Sequence, residues 1–121
     1  MVKKALVVDD SRSLRLMVSD TLSSAGFEVL QCENGQEALD CTTEHLVDFV
    51  ITDVNMPVLD GISFVRELRA RDRFRYTPIV VLTTESAESI KQRGRAAGAT
   101  GWMVKPFNPE QLVHVVKKLV P

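Results

Sequence analysis

Phe49-Val50-Ile51-Thr52-Asp53 is the stretch on which the fold turns: an apolar run closed by one carboxylate. Runs of this kind with little alternation suit strands covered on both faces, and such strands belong to parallel sheets. Three further runs have the same form. Ala5–Val8 leads into Asp9 and Asp10, Ile79–Leu82 into Thr83, and Trp102–Val104 into Lys105. All strands of a parallel sheet end at one edge, and ligands of open α/β sheets bind there, near the point where strand order reverses. Three carboxylates, a hydroxyl and an ammonium are therefore expected to share one crevice.

Helical patterns separate these runs. Ser11 is a good N-cap for a first helix that carries Leu14, Met17, Val18 and Leu22 on one face and ends at Gly26. A short second strand, Glu28–Cys32, precedes the Asn34-Gly35 turn and a helix that turns Ala38 and Leu39 inward and runs out near His45. Asp60 or Gly61 opens a third helix with Ile62, Val65 and Leu68 inward, and Pro78 begins the fourth strand. The fourth helix, Ser86–Ala97, offers the core only Ala87, Ile90 and small residues. Gly94 in its interior costs about 1 kcal/mol relative to alanine. The fifth follows Asn108 with Pro109 in its first turn and Leu112, Val115, Val116 and Leu119 as its stripe. Five βα units predict a three-layer α/β sandwich with a central parallel sheet and right-handed crossovers.

Length and composition set the bounds. The 121 residues suit one domain, and 45% hydrophobic with 26% charged residues is ordinary for a globular protein. A formal net charge of -1 gives no electrostatic case for nucleic acid. No apolar stretch is long enough to span a membrane, and no leader pattern follows Met1. Cys32 and Cys41 lack a C-x-x-C spacing and read as reduced thiols of a cytoplasmic protein. His45 and His114 stand alone as surface or packing residues. Arg69, Arg71, Arg73 and Arg75 read as a solvated basic loop.

The acidic cluster carries the chemistry. Two carboxylates about 4 Å apart repel by roughly 4 kcal/mol at an effective dielectric of 20, so a dry cluster must protonate or take up a cation. An all-oxygen site suits Mg²⁺, which keeps several waters and commonly joins one or two carboxylates to a phosphate. Adjacent acids such as Asp9 and Asp10 also serve as helix N-caps, so it is their combination with Asp53, Thr83 and Lys105 that points to a site.

The segments Val7-Val8-Asp9-Asp10-Ser11, Ile51-Thr52-Asp53-Val54-Asn55-Met56-Pro57, Asp60-Gly61, Leu82-Thr83-Thr84-Glu85 and Gly98-Ala99-Thr100-Gly101-Trp102-Met103-Val104-Lys105-Pro106-Phe107 resemble the receiver domain of two-component response regulators. The likeness covers essentially the whole chain and is strongest to the single-domain chemotaxis type. It implies a flavodoxin-like fold with strand order 2-1-3-4-5. It also implies one receiver domain over residues 1–121 with no attached output domain. By the same resemblance Asp53 is the phosphoacceptor. Asp10, Asp53 and the backbone carbonyl of Asn55 would hold Mg²⁺, and Asp9 would act through a metal-bound water. Lys105 and Thr83 would each contact a phosphoryl oxygen, and the Lys105–Pro106 bond would be cis.

The resemblance further implies a switch in which Thr83 moves toward the phosphoryl group and Trp102 turns inward. Tryptophan departs from the tyrosine or phenylalanine commoner at that position. Asn55 and Glu85 would tune the rate at which water removes the phosphoryl group. The implied partners are a CheA-type histidine kinase and a flagellar motor switch protein or another output protein. A dedicated phosphatase is left open, and the chain is expected to be a monomer. It would catalyse its own phosphorylation and dephosphorylation without being an enzyme for an external substrate. Two alternatives stand beside this reading. One is a phosphate sink or relay intermediate without motor output. The other is an aspartyl-phosphate phosphatase, many of which carry an Asp-x-Asp spacing that Asp9 and Asp10 lack.

Overall fold

A computed structural model of the chain describes residues 2–84 and 88–120. Five strands, β1 (Lys4–Val8), β2 (Glu28–Cys32), β3 (Phe49–Asp53), β4 (Ile79–Thr83) and β5 (Gly101–Val104), form one parallel sheet of order β2-β1-β3-β4-β5. Between and after them lie α1 (Arg12–Ser24), α2 (Gly35–Glu44), α3 (Gly61–Arg69), α4 (Glu88–Ala97) and α5 (Pro109–Leu119). The expected architecture and order are both present. Ser86 and Ala87, assigned to the fourth helix from sequence, lie outside the described residues. None of the described helices is long and apolar enough to cross a membrane.

The unbroken apolar runs are explained by two separate cores. Along β1, Ala5 and Val7 face α1 and α5, where Val18, Leu22, Leu112 and Val116 meet them. Leu6 and Val8 face the other way, into a core completed by Leu39, Ile62, Val65 and Leu68. β3 and β4 alternate in the same manner, with Phe49, Ile51, Val80 and Leu82 on one side and Val50, Ile79 and Val81 on the other. Each fully buried Val, Leu, Ile or Phe contributes about 1.5–3 kcal/mol relative to exposure, so the sheet centre is the most stable part of the molecule.

Caps fix where the helices begin. Ser11, Asn34, Asp60 and Asn108 each accept a backbone N–H from their own first turn, and Asn108 forms a reciprocal capping box with Gln111. Register then aligns the strand ends: Val8 pairs with Thr52, Asp53 with Leu82, and Thr83 with Val104.

The arginine segment corrects the sequence expectation. A 3-10 turn, Asp72–Phe74, drives the Phe74 ring wholly into the core. Arg69 donates to the carbonyls of Gly98 and Phe74, clipping α3 to the turn before β5. Arg71 donates to the Leu39 carbonyl and the Thr42 hydroxyl of α2. Only Arg73 and Arg75 are exposed. Half of the basic cluster is thus a structural clasp: Arg69 supplies donors to carbonyls at the ends of α4 and the 3-10 turn, and Arg71 ties that turn to α2.

Candidate functional site

The sheet delivers the expected side chains to one edge. β1 ends at Val8, so Asp9 follows directly and is almost fully buried, while Asp10 is exposed. Asp53 closes β3 and is buried. One carboxylate oxygen from each of Asp9, Asp10 and Asp53 lies within 4.8 Å of the other two. The Lys105 ammonium stands 3.1 Å from Asp53 Oδ1 and 3.5 Å from Asp9 Oδ2. Buried Thr83 ends β4 beside them, and its carbonyl accepts the Lys105 N–H at 2.7 Å. The Lys105–Pro106 peptide is cis, as the resemblance implied. Asn55 is exposed in the loop after β3. Glu85 lies outside the described residues. Trp102 is half-buried on β5 and packs toward α4, with the Lys91 ammonium 5.2 Å from its ring centroid.

Backbone geometry holds the carboxylates in place. Asp53 Oδ1 accepts the Val54 N–H at 2.8 Å, and Asp9 Oδ1 accepts the Ser11 N–H at 2.9 Å. The loop after β3 folds back so closely that Gly61 N–H donates to the Val54 carbonyl at 2.8 Å. A Cβ at position 61 would lie 1.8 Å from the Asp53 carbonyl oxygen, so only glycine fits. Val58 turns this loop with a φ of 70°, a left-handed conformation that costs a β-branched residue about 1–3 kcal/mol.

Asp9 has the distinctive electrostatics. Burial raises its carboxyl above the usual carboxylate range. The charges of Asp53 and Asp10 add to that effect, while the Ser11 N–H and the Lys105 ammonium oppose it. Its Oδ2 is buried and accepts no hydrogen bond among the described residues. A buried oxygen left in that state is costly, and a hard cation beside it would repay the cost. Three carboxylates with no soft donor fit Mg²⁺ in number and chemistry.

One contributor escaped the sequence reading. Arg15, nearly buried on α1, donates to the backbone carbonyl of Asp9 at 2.8 Å. It also reaches Gln31 Oε1 at 3.3 Å and lies 3.7 Å from Glu33 Oε1. The signal was an arginine lying inside the apolar stripe of α1, between Leu14 and Val18.

Comparison with known proteins agrees with this geometry. Residues 5–117 match the family model described as the response regulator receiver domain. The chain is 42% identical over 113 residues to the chemotaxis protein CheY1 of Helicobacter pylori, covering 90% of each. It is similar to the solved structure of chemotaxis response regulator CheY4 of Vibrio cholerae, with 48% identity, TM-score 0.95 and coverage of 99% and 100%. A more distant likeness, at 27% identity and TM-score 0.90 with 98% of both chains covered, is to the receiver domain of sensor histidine kinase PA1611 of Pseudomonas aeruginosa, solved with a magnesium ion in its active-site cleft. A sequence match that starts in β1 and runs to the last turns of α5, with the same fold over nearly every residue, leaves one assignment: this chain belongs to the family of response regulator receiver domains.

Proposed function

We propose that the chain is a phosphorylation-activated signalling switch that accepts a phosphoryl group on Asp53 and then binds an output protein. The observation that carries this reading is the single ammonium of Lys105 held between the Asp53 and Asp9 carboxylates, with Asp10 beside them. Phosphoryl transfer needs alignment and charge neutralisation more than covalent help from the protein. Val54 N–H and Lys105 fix Oδ1, so the Asp53 carboxylate is oriented before a donor arrives. A carboxylate oxygen attacks phosphorus, and the bond to a phosphohistidine nitrogen or an acyl oxygen breaks with its electron pair. Lys105 then faces a phosphoryl oxygen, and Thr83 supplies a hydroxyl to another. Asp9, Asp10, Asp53 and the Asn55 carbonyl would hold Mg²⁺, which supplies neutralisation of the phosphoryl charge; the magnesium in the PA1611 receiver supports this. Attack of water on the same phosphorus restores the carboxylate and releases phosphate, with Asn55 and Glu85 setting its rate.

The similarity to chemotaxis proteins supports a CheA-type kinase as donor and a flagellar motor switch protein as output. In the active form Thr83 shifts toward the phosphoryl group and Trp102 turns into the space it leaves. Incubation with acetyl phosphate and Mg²⁺ should add one phosphoryl group, detected by intact mass, and Asp53→Asn should abolish it. Trp102 fluorescence titrated with the N-terminal peptide of a motor switch protein, with and without beryllofluoride, then tests the output. Tighter peptide binding in the activated sample supports motor control. Activation without peptide binding moves the output to a sink or relay, and an unmodified Asp53 overturns the proposal.

A further inference from the structure

We infer that Lys91 is a positioning residue for the switch: its ammonium, laid over the Trp102 ring, holds the indole against α4 and biases the unphosphorylated protein toward its resting form. The inference rests on the switch reading above, in which activation turns Trp102 inward.

Three observations define the contact. The Lys91 ammonium stands 5.2 Å from the centroid of the Trp102 ring. That is inside the range of about 6 Å over which the negative face of an indole attracts a cation. Lys91 is half-buried, whereas Gln92 and Arg93 beside it are exposed, and among the described residues no carboxylate lies within ion-pairing reach of its ammonium. A lysine drawn out of water without an ion pair has the face of the indole as its compensation. Gly94, three residues on and therefore on the same face of α4, gives the ring room, since a Cβ there would lie 3.6 Å from the indole.

Packing does not close this seat. Lys91, Arg95, Thr100 and Trp102 border a cavity of about 180 Å³. The indole is thus not confined on every side, and its orientation depends on what attracts it. Inward rotation takes the ring off the ammonium, so the contact belongs to the resting form alone. An interaction made in one of two forms shifts their ratio by its own worth. A partly exposed contact of this kind shifts that ratio about two- to fivefold. Such a bias is small enough for a phosphoryl group to overcome.

The test titrates the full chain with beryllofluoride, a mimic of the phosphoryl group, in saturating Mg²⁺. It compares wild type with Lys91→Met and Lys91→Arg. Trp102 is the single tryptophan, so its emission gives the midpoint and its one indole N–H resonance reports the ring. Lys91→Met keeps the stem without the charge and should bind beryllofluoride about two- to fivefold more tightly. Before beryllofluoride is added, its indole resonance should lie displaced from the wild-type resting position toward the activated one. Lys91→Arg keeps a cation over the ring and should match wild type in both readouts. A role confined to helix stability would lower the urea midpoint of Lys91→Met and leave affinity and resonance unmoved. That outcome overturns the inference, as does a Lys91→Arg variant that behaves like Lys91→Met. A wild type that gives no response to beryllofluoride overturns the switch reading and this inference with it.

Discussion

Arg15 shows how one buried charge can act on a site through the backbone of one of its residues. Its guanidinium fills the hydrogen-bonding capacity of the Asp9 carbonyl, at the peptide that carries the chain from one acid to the next. Arg15→Met keeps the hydrocarbon stem and removes the donors. A buried carbonyl left without its partner costs about 1–3 kcal/mol, so the urea midpoint should fall by that equivalent. Below the unfolding range the same variant should bind Mg²⁺ more weakly, read from Trp102 fluorescence, and Arg15→Lys should recover part of the affinity. Lower stability with unchanged Mg²⁺ affinity would confine Arg15 to a structural role. Asp60 makes a pH-dependent contribution of a different kind. It caps α3 by accepting the Ser63 N–H at 2.8 Å and the Ser63 hydroxyl at 3.0 Å. Burial disfavours its ionised form, but the Ser63 and Ile62 hydrogen bonds and the Arg93 charge outweigh burial and hold its pKa below the usual value. A lowered folded pKa gives stability that is present above about pH 4 and lost as pH falls through the folded value. Asp60→Asn keeps a capping oxygen without titrating. The wild-type advantage over Asp60→Asn should therefore shrink as urea unfolding is repeated from pH 5 down to pH 3.

At the scale of elements, β1, β3 and β4 were legible because burial on both faces leaves a short run of Val, Ile and Leu, whereas the edge strands β2 and β5 are only partly covered. Helix starts were legible through their caps, since Ser11, Asn34, Asp60 and Asn108 do locally what the sequence says they do. The edge-gathering of Asp9, Asp10, Asp53, Thr83 and Lys105 followed once the strands were parallel. The misses involve long-range partners. Arg69 and Arg71 look like surface residues in the sequence, and Arg15 interrupts an apolar stripe without revealing its partner; only the fold brings the carbonyls of Asp9, Gly98 and Leu39 to them. Phe74 sits among arginines, where one aromatic residue gives no period to read. α4 lies between these cases. Gly94 faces Trp102, and a Cβ there would sit 3.6 Å from the indole and 3.9 Å from Ile62 Cδ1, an ordinary contact distance. Gly94→Ala should therefore gain helix propensity without a clash and stabilise the protein by about 0.5–1 kcal/mol in urea unfolding. Its added methyl should also shift the Trp102 emission, because the indole packs on that turn. A destabilised Gly94→Ala would mean that α4 needs the glycine's close approach more than it needs helix propensity.

For the whole molecule, the acidic edge sets stability against readiness to bind. Asp9, Asp10 and Asp53 repel one another, and among the described residues Lys105 is the one cation paired with them, shared between Asp9 and Asp53, so the fold carries an unfavourable electrostatic term at the strand ends. That term is what a divalent cation relieves. A ligand that binds only the folded state at a hundred times its Kd stabilises the fold by about 2.7 kcal/mol. Mg²⁺ should therefore raise the Tm by several degrees, and monovalent salt at matched ionic strength should not reproduce the rise. Asp10→Asn separates the two effects, because the side chain is exposed and its loss leaves no cavity. Without metal, Asp10→Asn should be more stable than wild type, since one repulsive charge is gone. With saturating Mg²⁺ the order should reverse, because the variant has given up a ligand. Two melting curves for each protein, with and without Mg²⁺, decide the matter. A crossing of the two orders means that the site holds its repulsion in reserve for the cation, whereas parallel shifts would mean that Asp10 takes no part in holding Mg²⁺.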